Sequence, residues 1–216
     1  VFNLSMMATE YVDPWLVSRP DVPLVSFTGS TEVGRRVAVS VAKRLGRSLL
    51  ELSGNNASIV CADANLDLVL PAVIFAATGT AGQRCTTLRR LYVMDKVYDE
   101  VAQRLTHAYQ QLSVGDPLEE GIWMGPVIDQ AAVAQYRQTL CDIHQHQGRV
   151  LAGGKVMDRS GFFVEPCLIE ASVDWPLLKA ETFVPILYLV RCNTLEEAIA
   201  HNNASHHGLS SSIFTQ

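Results

Sequence analysis

No two of the five cysteines in this 216-residue chain stand close enough to form a CxxC pair; they fall at 61, 85, 141, 167 and 192, an odd number with no framework spacing. A disulfide-stapled secreted scaffold is therefore excluded, and a reducing, cytoplasmic compartment is expected. No apolar run is long enough to cross a bilayer. The first ten residues lack the basic start and long apolar stretch of a secretory leader. Position 1 is Val, not Met, so a missing start is expected. Charge is scarce, at 18% of residues, and leans acidic with a formal net of −5, which argues against nucleic acid as a partner. The G-x-G-x-x-G fingerprint, internal repeats and low-complexity linkers are all missing. Hydrophobic residues, at 48%, are ordinary for globular protein, and the length suits one domain or two small ones.

What is present is an alternation of strands and helices. Pro23 to Phe27 reads as a short buried strand, followed by the turn Thr28-Gly29-Ser30. Val33, Val37, Val41 and Leu45 then recur every four residues among Arg35, Arg36, Lys43 and Arg44, the mark of an amphipathic helix that Gly46 is expected to end. Ser48 to Leu52 and Ala57 to Cys61 read as strands. A helix starting within 63–67 runs apolar through Ala77, with Pro71 tolerable only near its first turn. Leu91 to Met94 is strand-like, Val97 to Leu112 and Gln130 to His146 are helical, and Val150-Leu151 and Phe163 to Ile169 are strands around the Gly153-Gly154 turn. Ile186 to Val190, Leu195 to Asn202 and Ser211 to Phe214 complete a strand, a helix and a last strand. This order predicts an α/β fold with a largely parallel sheet.

Six histidines invite a metal reading, but no ligand spacing recurs. His144 and His146 diverge on a helix, and His201, His206 and His207 flank a helix end, so solvated loops are expected and no metal. Four of the cysteines sit beside apolar or strand-like neighbours and read as small buried hydrophobes. Cys85 differs, because it follows the small-residue loop Gly79 to Gly82.

Four segments stand out together: FTGSTEVG at Phe27 to Gly34, LELSGNNA at Leu50 to Ala57, GTAGQRCT at Gly79 to Thr86 and ETFVP at Glu181 to Pro185. In this order and spacing they resemble the cofactor turn, glutamate motif, cysteine motif and ExFxP motif of the aldehyde dehydrogenase superfamily. The likeness covers roughly residues 20 to 216. It is greatest to the antiquitin, or α-aminoadipic semialdehyde dehydrogenase, branch, carried by ELSGNNA, GTAGQRCTTLRRLYV, GGKVMDRSGFFVEP and GLSSSIFT. Ser53 stands where Gly is the norm, and Asn55 where other branches commonly have Lys.

The resemblance implies NAD(P)-dependent oxidation of a small-molecule aldehyde to its acid, the aldehyde being a semialdehyde of the kind met in lysine catabolism, with NAD as cofactor. It makes Cys85 the nucleophile, through a thiohemiacetal and a thioester, and Glu51 the general base. The residues themselves agree with those roles. Small residues before Cys85 permit close approach of substrate and cofactor. Arg84, carried over as a substrate-binding residue, stands beside the thiol and can favour its thiolate. Glu51 ends an apolar strand, where a carboxylate can be desolvated and so suited to base work near neutral pH. The two lie 34 residues apart, a separation that suits one strand–helix unit folding back on itself. Gly29 and Ser30 precede a helix, whose N-terminus suits a pyrophosphate. Leu52, Glu181 and Phe183 are carried over as further cofactor-binding residues, Glu181 for the nicotinamide ribose and Phe183 for the ring. Without the family, Glu181 and Phe183 would read as an exposed Glu and a core Phe.

The resemblance also implies that residues 1–54 are the C-terminal remnant of an NAD-binding domain, its last strand–helix–strand, and that 55–216 are a catalytic domain incomplete at its C-terminus. Full-length members are roughly twice this size or more and are homo-oligomers. The adenosine-side strands, the oxyanion asparagine, the C-terminal substrate loop and the oligomerisation tail fall outside the chain. Asn55 and Asn56 are not that asparagine. Two readings follow: a dehydrogenase represented by a piece inactive on its own, or a standalone truncated domain serving as an interaction module or an NAD-independent thiol esterase.

Overall fold

The computed structural model describes residues 3, 4, 6 and 12–216. The chain divides into two compact units, Val1–Ser53 and Gly54–Gln216.

The first unit is a strand–helix–strand. Strand β1 (Leu24–Thr28) pairs in parallel with β2 (Arg47–Glu51), so that Thr28 stands opposite Glu51. Helix α1 (Thr31–Lys43) connects them and buries Val37 and Val41 against Val25 and Val17. The four-residue recurrence of valines is the cause, since such positions stack on one helix face. Ser30 caps the helix by accepting the Val33 amide at 3.3 Å. The helix ends two residues before the position expected from Gly46. Leu45 takes the left-handed conformation (φ 57°), with its amide on the Ala42 carbonyl and the Gly46 amide on the Val41 carbonyl. This is the paired closure usual at helix ends, with Leu45 where Gly is usual and Gly46 one place later.

The second unit is a doubly covered sheet. In chain order its elements are β3 (Asn56–Val60), α2 (Leu66–Thr78), β4 (Leu88–Met94), α3 (Asp95–Gln110), α4 (Gln130–Gln145), β5 (Arg149–Ala152), β6 (Cys167–Glu170), β7 (Ile186–Cys192), α5 (Leu195–Asn203) and β8 (Ser211–Phe214). The spatial order is β5-β6-β7-β4-β3-β8, and every neighbouring pair is parallel except β5 with β6. Side chains alternate between two cores. Leu91 and Val93 of β4 face Val69, Val73, Val101 and Leu105 of α2 and α3. Tyr92 and Met94 face the other way, toward Val133, Tyr136 and Ile143 of α4 and Ala198 of α5. Burial on both faces is why the central strands read as near-continuous apolar runs. Among the described residues, no helix is long and apolar enough to cross a membrane.

Three local expectations are corrected. Strand β4 begins at Leu88, not Leu91, and takes in two buried arginines, Arg89 and Arg90. The stretch expected as a strand from Phe163 narrows to Cys167–Glu170, with Val164 in a lone bridge to Val156; Pro166 offers no amide to a ladder. Pro71 lies inside α2, at its sixth residue, beyond the first turn. An amide there would have bonded to the Asp67 carbonyl, which Pro leaves without that partner. Replacing Pro71, which is exposed, with Ala should therefore stabilise the chain. The gain of a helix bond outweighs the added freedom of the unfolded chain by about 1–2 kcal/mol. A urea midpoint that rises at constant slope is the expected result; a fall would show that Pro71 fits the bend of this helix better than Ala.

Candidate functional site

In the first unit, four of the singled-out residues meet around one turn. The Gly29 amide donates to the Glu51 carbonyl at 3.1 Å, which ties the turn after β1 to the end of β2. Ser30 caps α1, and Leu52 packs on Gly34, where a Cβ would stand 2.3 Å from a Leu52 methyl. Ser53, the departure from the family's usual Gly, accepts the Thr31 amide at 3.2 Å and so adds a second cap to the same helix. Gly29 and Ser30 are exposed, and the start of α1 suits an anion, although the Thr31 and Val33 amides already have side-chain partners. Glu51 is exposed. The desolvation expected for its carboxylate is not provided, because it closes the last pair of a two-stranded ladder with no strand beyond it.

In the second unit, three sequence segments arrive at the amino ends of adjacent strands: Gly54-Asn55 before β3, the cysteine loop before β4, and Glu181 to Pro185 before β7. Open parallel sheets usually bind ligands at their carboxyl ends; strand order here gathers these three segments at the opposite edge. The cysteine loop is strained. Thr80 and Ala81 adopt left-handed conformations with φ of 56° and 51°, followed by Gly82 at 72°. Such conformations cost roughly 1–2 kcal/mol for each non-glycine residue. Gly82 is required as well by proximity, since a Cβ there would lie 2.5 Å from the Val184 carbonyl carbon.

Two side chains hold this loop. Asn56 donates to the Cys85 carbonyl at 2.7 Å and to the Thr87 carbonyl at 2.9 Å, while its own oxygen accepts from the Ser210 amide and hydroxyl. Arg89, 1% exposed, donates to the carbonyls of Gly54 (3.3 Å), Gly82 (3.3 Å), Arg84 (3.2 Å) and Thr182. Its Nη2 lies 3.5 Å from Glu181 Oε1. Burial pulls the guanidinium down to about 10, with Glu181 opposing the shift, so it remains a cation at neutral pH. Glu181 Oε1 also accepts the Gly54 amide at 3.1 Å. Gly54 is compelled by proximity, a Cβ there standing 2.3 Å from the Cys85 carbonyl oxygen.

The bland readings of Glu181 and Phe183 are reversed. Glu181 is half-buried and bonded, whereas Phe183 is 38% exposed and lies beneath the Arg89 guanidinium, 5.3 Å from its centroid. Arg84 turns to Phe75. Its Nη2 donates to the Phe75 carbonyl at 3.1 Å and its guanidinium covers the Phe75 ring at 5.0 Å, beside a pocket of ≈ 190 Å³ lined by Phe75, Gly79, Thr80, Arg84 and Trp123. Sequence reasoning missed Asn56 and Arg89 as parts of the site. The available signal was Arg89-Arg90 inside an otherwise apolar strand, where unpaired charge is not tolerated. His201 stacks on Tyr92, and among the described residues no group of His, Cys, Asp and Glu could hold a metal ion.

The whole length, residues 1–216, matches the model of the aldehyde dehydrogenase family. The chain belongs to that family. It is similar to the α-aminoadipic semialdehyde dehydrogenase of Rattus norvegicus, with 50% identity over 196 residues, which is 90% of this chain and 36% of that protein. The fold matches the lactaldehyde dehydrogenase of Escherichia coli at TM-score 0.90 and 36% identity, covering 93% of this chain and 43% of that one. It also matches an NAD+ complex of the aldehyde dehydrogenase from Bacillus cereus, at TM-score 0.90 and 27% identity, over 93% and 41% of the two chains. The chain spans 36–40% of the length of the curated relatives it matches.

The cysteines sort by burial, with one correction. Cys167 and Cys192 are buried and pushed up to about 12 by that burial; Cys61 is half-buried and raised by burial and then by Asp63. Cys141 is exposed on α4, not the small buried hydrophobe expected, because it falls on the helix face opposite Tyr136 and Ile143. Iodoacetamide at pH 8 should leave Cys167 and Cys192 unmodified and should alkylate Cys85 faster than the more accessible Cys141. Peptide mapping over a time course decides it, and Cys141 reacting first would mean that the loop does not activate Cys85.

Proposed function

We propose that this chain carries the nucleophile, the general base and the nicotinamide-side contacts of an enzyme that oxidises an aldehyde with NAD. The observation that carries the reading is Cys85 itself, half-buried in a strained loop whose carbonyls are gripped by Asn56 and Arg89. A fixed nucleophile is what a reaction at a small carbonyl demands.

The Cys85 thiolate adds to the carbonyl carbon, and the C=O π pair becomes an alkoxide on a thiohemiacetal. NAD, when bound, accepts the hydride that this carbon releases. The product on Cys85 is a thioester. Glu51 takes a proton from water as the water oxygen adds to the thioester carbon; collapse of that adduct expels the Cys85 thiolate and frees the carboxylic acid. Glu51 is open to solvent. Of the first unit's residues, Gly29 and Ser30 would hold the pyrophosphate and Leu52 would contribute to cofactor binding; of the second unit's, Glu181 would hold the ribose hydroxyls and Phe183 the ring. Glu181 fits this role because its Oε2 accepts no hydrogen bond among the described residues. Arg84 is the residue assigned to the substrate. The substrate is a semialdehyde such as α-aminoadipic semialdehyde, as the name of the rat relative supports.

With 36–40% of its relatives' length, the 216-residue chain is expected to form NADH from that semialdehyde slowly. The rate should fall on the order of 10²–10³ or more below a full-length relative, the factor typical of one lost oxyanion donor. Cys85→Ala should abolish whatever remains. The check is NADH absorbance with purified chain and variant. Activity that survives in Cys85→Ala would overturn the assignment of the nucleophile, and turnover equal to the relative's would overturn the division of labour proposed here.

A further inference from the structure

We propose that Arg89 is a positioning residue for recognition of the nicotinamide ribose, acting through Glu181: it fixes Oε1 of that carboxylate so that Oε2 faces the ribose diol. The inference rests on the reading of Glu181 given above. All five N–H groups of Arg89 are used, one on Gly54, two on Gly82, one on Arg84 and one on Thr182. These acceptors belong to the three segments that reach the amino ends of β3, β4 and β7. Glu181 is the only anion paired with the guanidinium among the described residues, and the Gly54 amide shares its Oε1. One oxygen is thus held by the Gly54 amide and by the guanidinium charge 3.5 Å away, while the other accepts no hydrogen bond among the described residues, which restricts rotation about the last torsion of the carboxylate. A free Glu would lose that freedom on binding; here it is already lost, and binding gains accordingly. The Phe183 ring lies against the same guanidinium, so the side chain proposed for the ribose and the side chain proposed for the ring share one support.

Lysine cannot reproduce this arrangement. An ammonium has three donors from one point, whereas the guanidinium reaches four carbonyls and a carboxylate in a planar fork. Asp at 181 keeps the charge but is shorter by a methylene and cannot keep the Gly54 amide and Arg89 together on one oxygen. The two substitutions therefore break the same geometry from opposite sides, and the second leaves the buried arginine in place.

The experiment uses the 216-residue chain and nicotinamide mononucleotide, with its 2′,3′-dideoxy analogue as the control lacking the diol. Dissociation constants come from saturation-transfer NMR, and thermal melting confirms that each variant is folded. The unaltered chain should prefer the diol, and both Arg89→Lys and Glu181→Asp should lose that preference by roughly tenfold, the weight of a charge-assisted hydrogen bond. In Glu181→Asp, which leaves Arg89 against the Phe183 ring, the weak affinity for the dideoxy compound should be unchanged, which a merely structural loosening of the fold would not spare. If Arg89→Lys fails to fold, Glu181→Asp decides the matter. Preference retained in the folded variants would overturn the role of Arg89 and leave the proposed function intact. An unaltered chain that binds neither compound, or binds both equally, would overturn the ribose role of Glu181 and the inference with it.

Discussion

One of two buried arginines, Arg89, organises the unit Gly54–Gln216. Arg89 sits at the start of a strand covered on both faces, where a charge without partners would cost several kcal/mol. The fold meets that demand by aiming four backbone carbonyls and one carboxylate at the guanidinium. Those acceptors come from positions 54, 82, 84, 181 and 182, so satisfying the charge also joins segments that the chain separates by as many as 128 residues, from 54 to 182. Removing the arginine would leave a half-buried glutamate and several carbonyls without their donor, and removing the glutamate would leave the cation on carbonyls alone. Neither change is absorbed locally, because both partners are shared among the three segments.

The strained cysteine loop depends on the same contact. Left-handed Thr80 and Ala81 persist because the loop is over-determined. Ala81 is packed in the core, the Gly82 carbonyl is bonded to Arg89, and Gln83 accepts the Ile128 amide through its side chain. Asn56 then holds Cys85 by its carbonyl, leaving the thiol free of that restraint. Rigidity is thus applied to the backbone around Cys85. This is the arrangement that fixes position without blocking approach.

A large part of the fold was legible in one sequence. The period-four valines of α1, the alternation of apolar runs with amphipathic helices, and the capping and turn residues each report a local preference, and local preference follows from neighbours a few places away. The errors have the same origin. Leu45 in a left-handed cap, Pro71 within a helix and a strand that starts at two arginines are each disfavoured locally and tolerated because tertiary contacts outweigh a preference of about 1–3 kcal/mol. Cys141 was misplaced because its neighbours Leu140 and Ile143 are apolar, although the helix turns its own side chain outward.

The sequence by itself determined that this is an α/β protein of the aldehyde dehydrogenase family, with Cys85, Glu51, Glu181 and Phe183 as the residues of interest, since motif order and spacing are linear properties. Only the tertiary structure decided which residues hold them. Strand order β7-β4-β3 brings the ExFxP segment, the cysteine loop and Gly54 to one sheet edge, and no linear pattern encodes strand order. It decided too that Glu181 is tied down and Phe183 exposed, and that Arg84 turns to Phe75. Arg89 became central for the same reason: a buried charge takes its meaning from its acceptors, and every one of its acceptors lies outside its own strand.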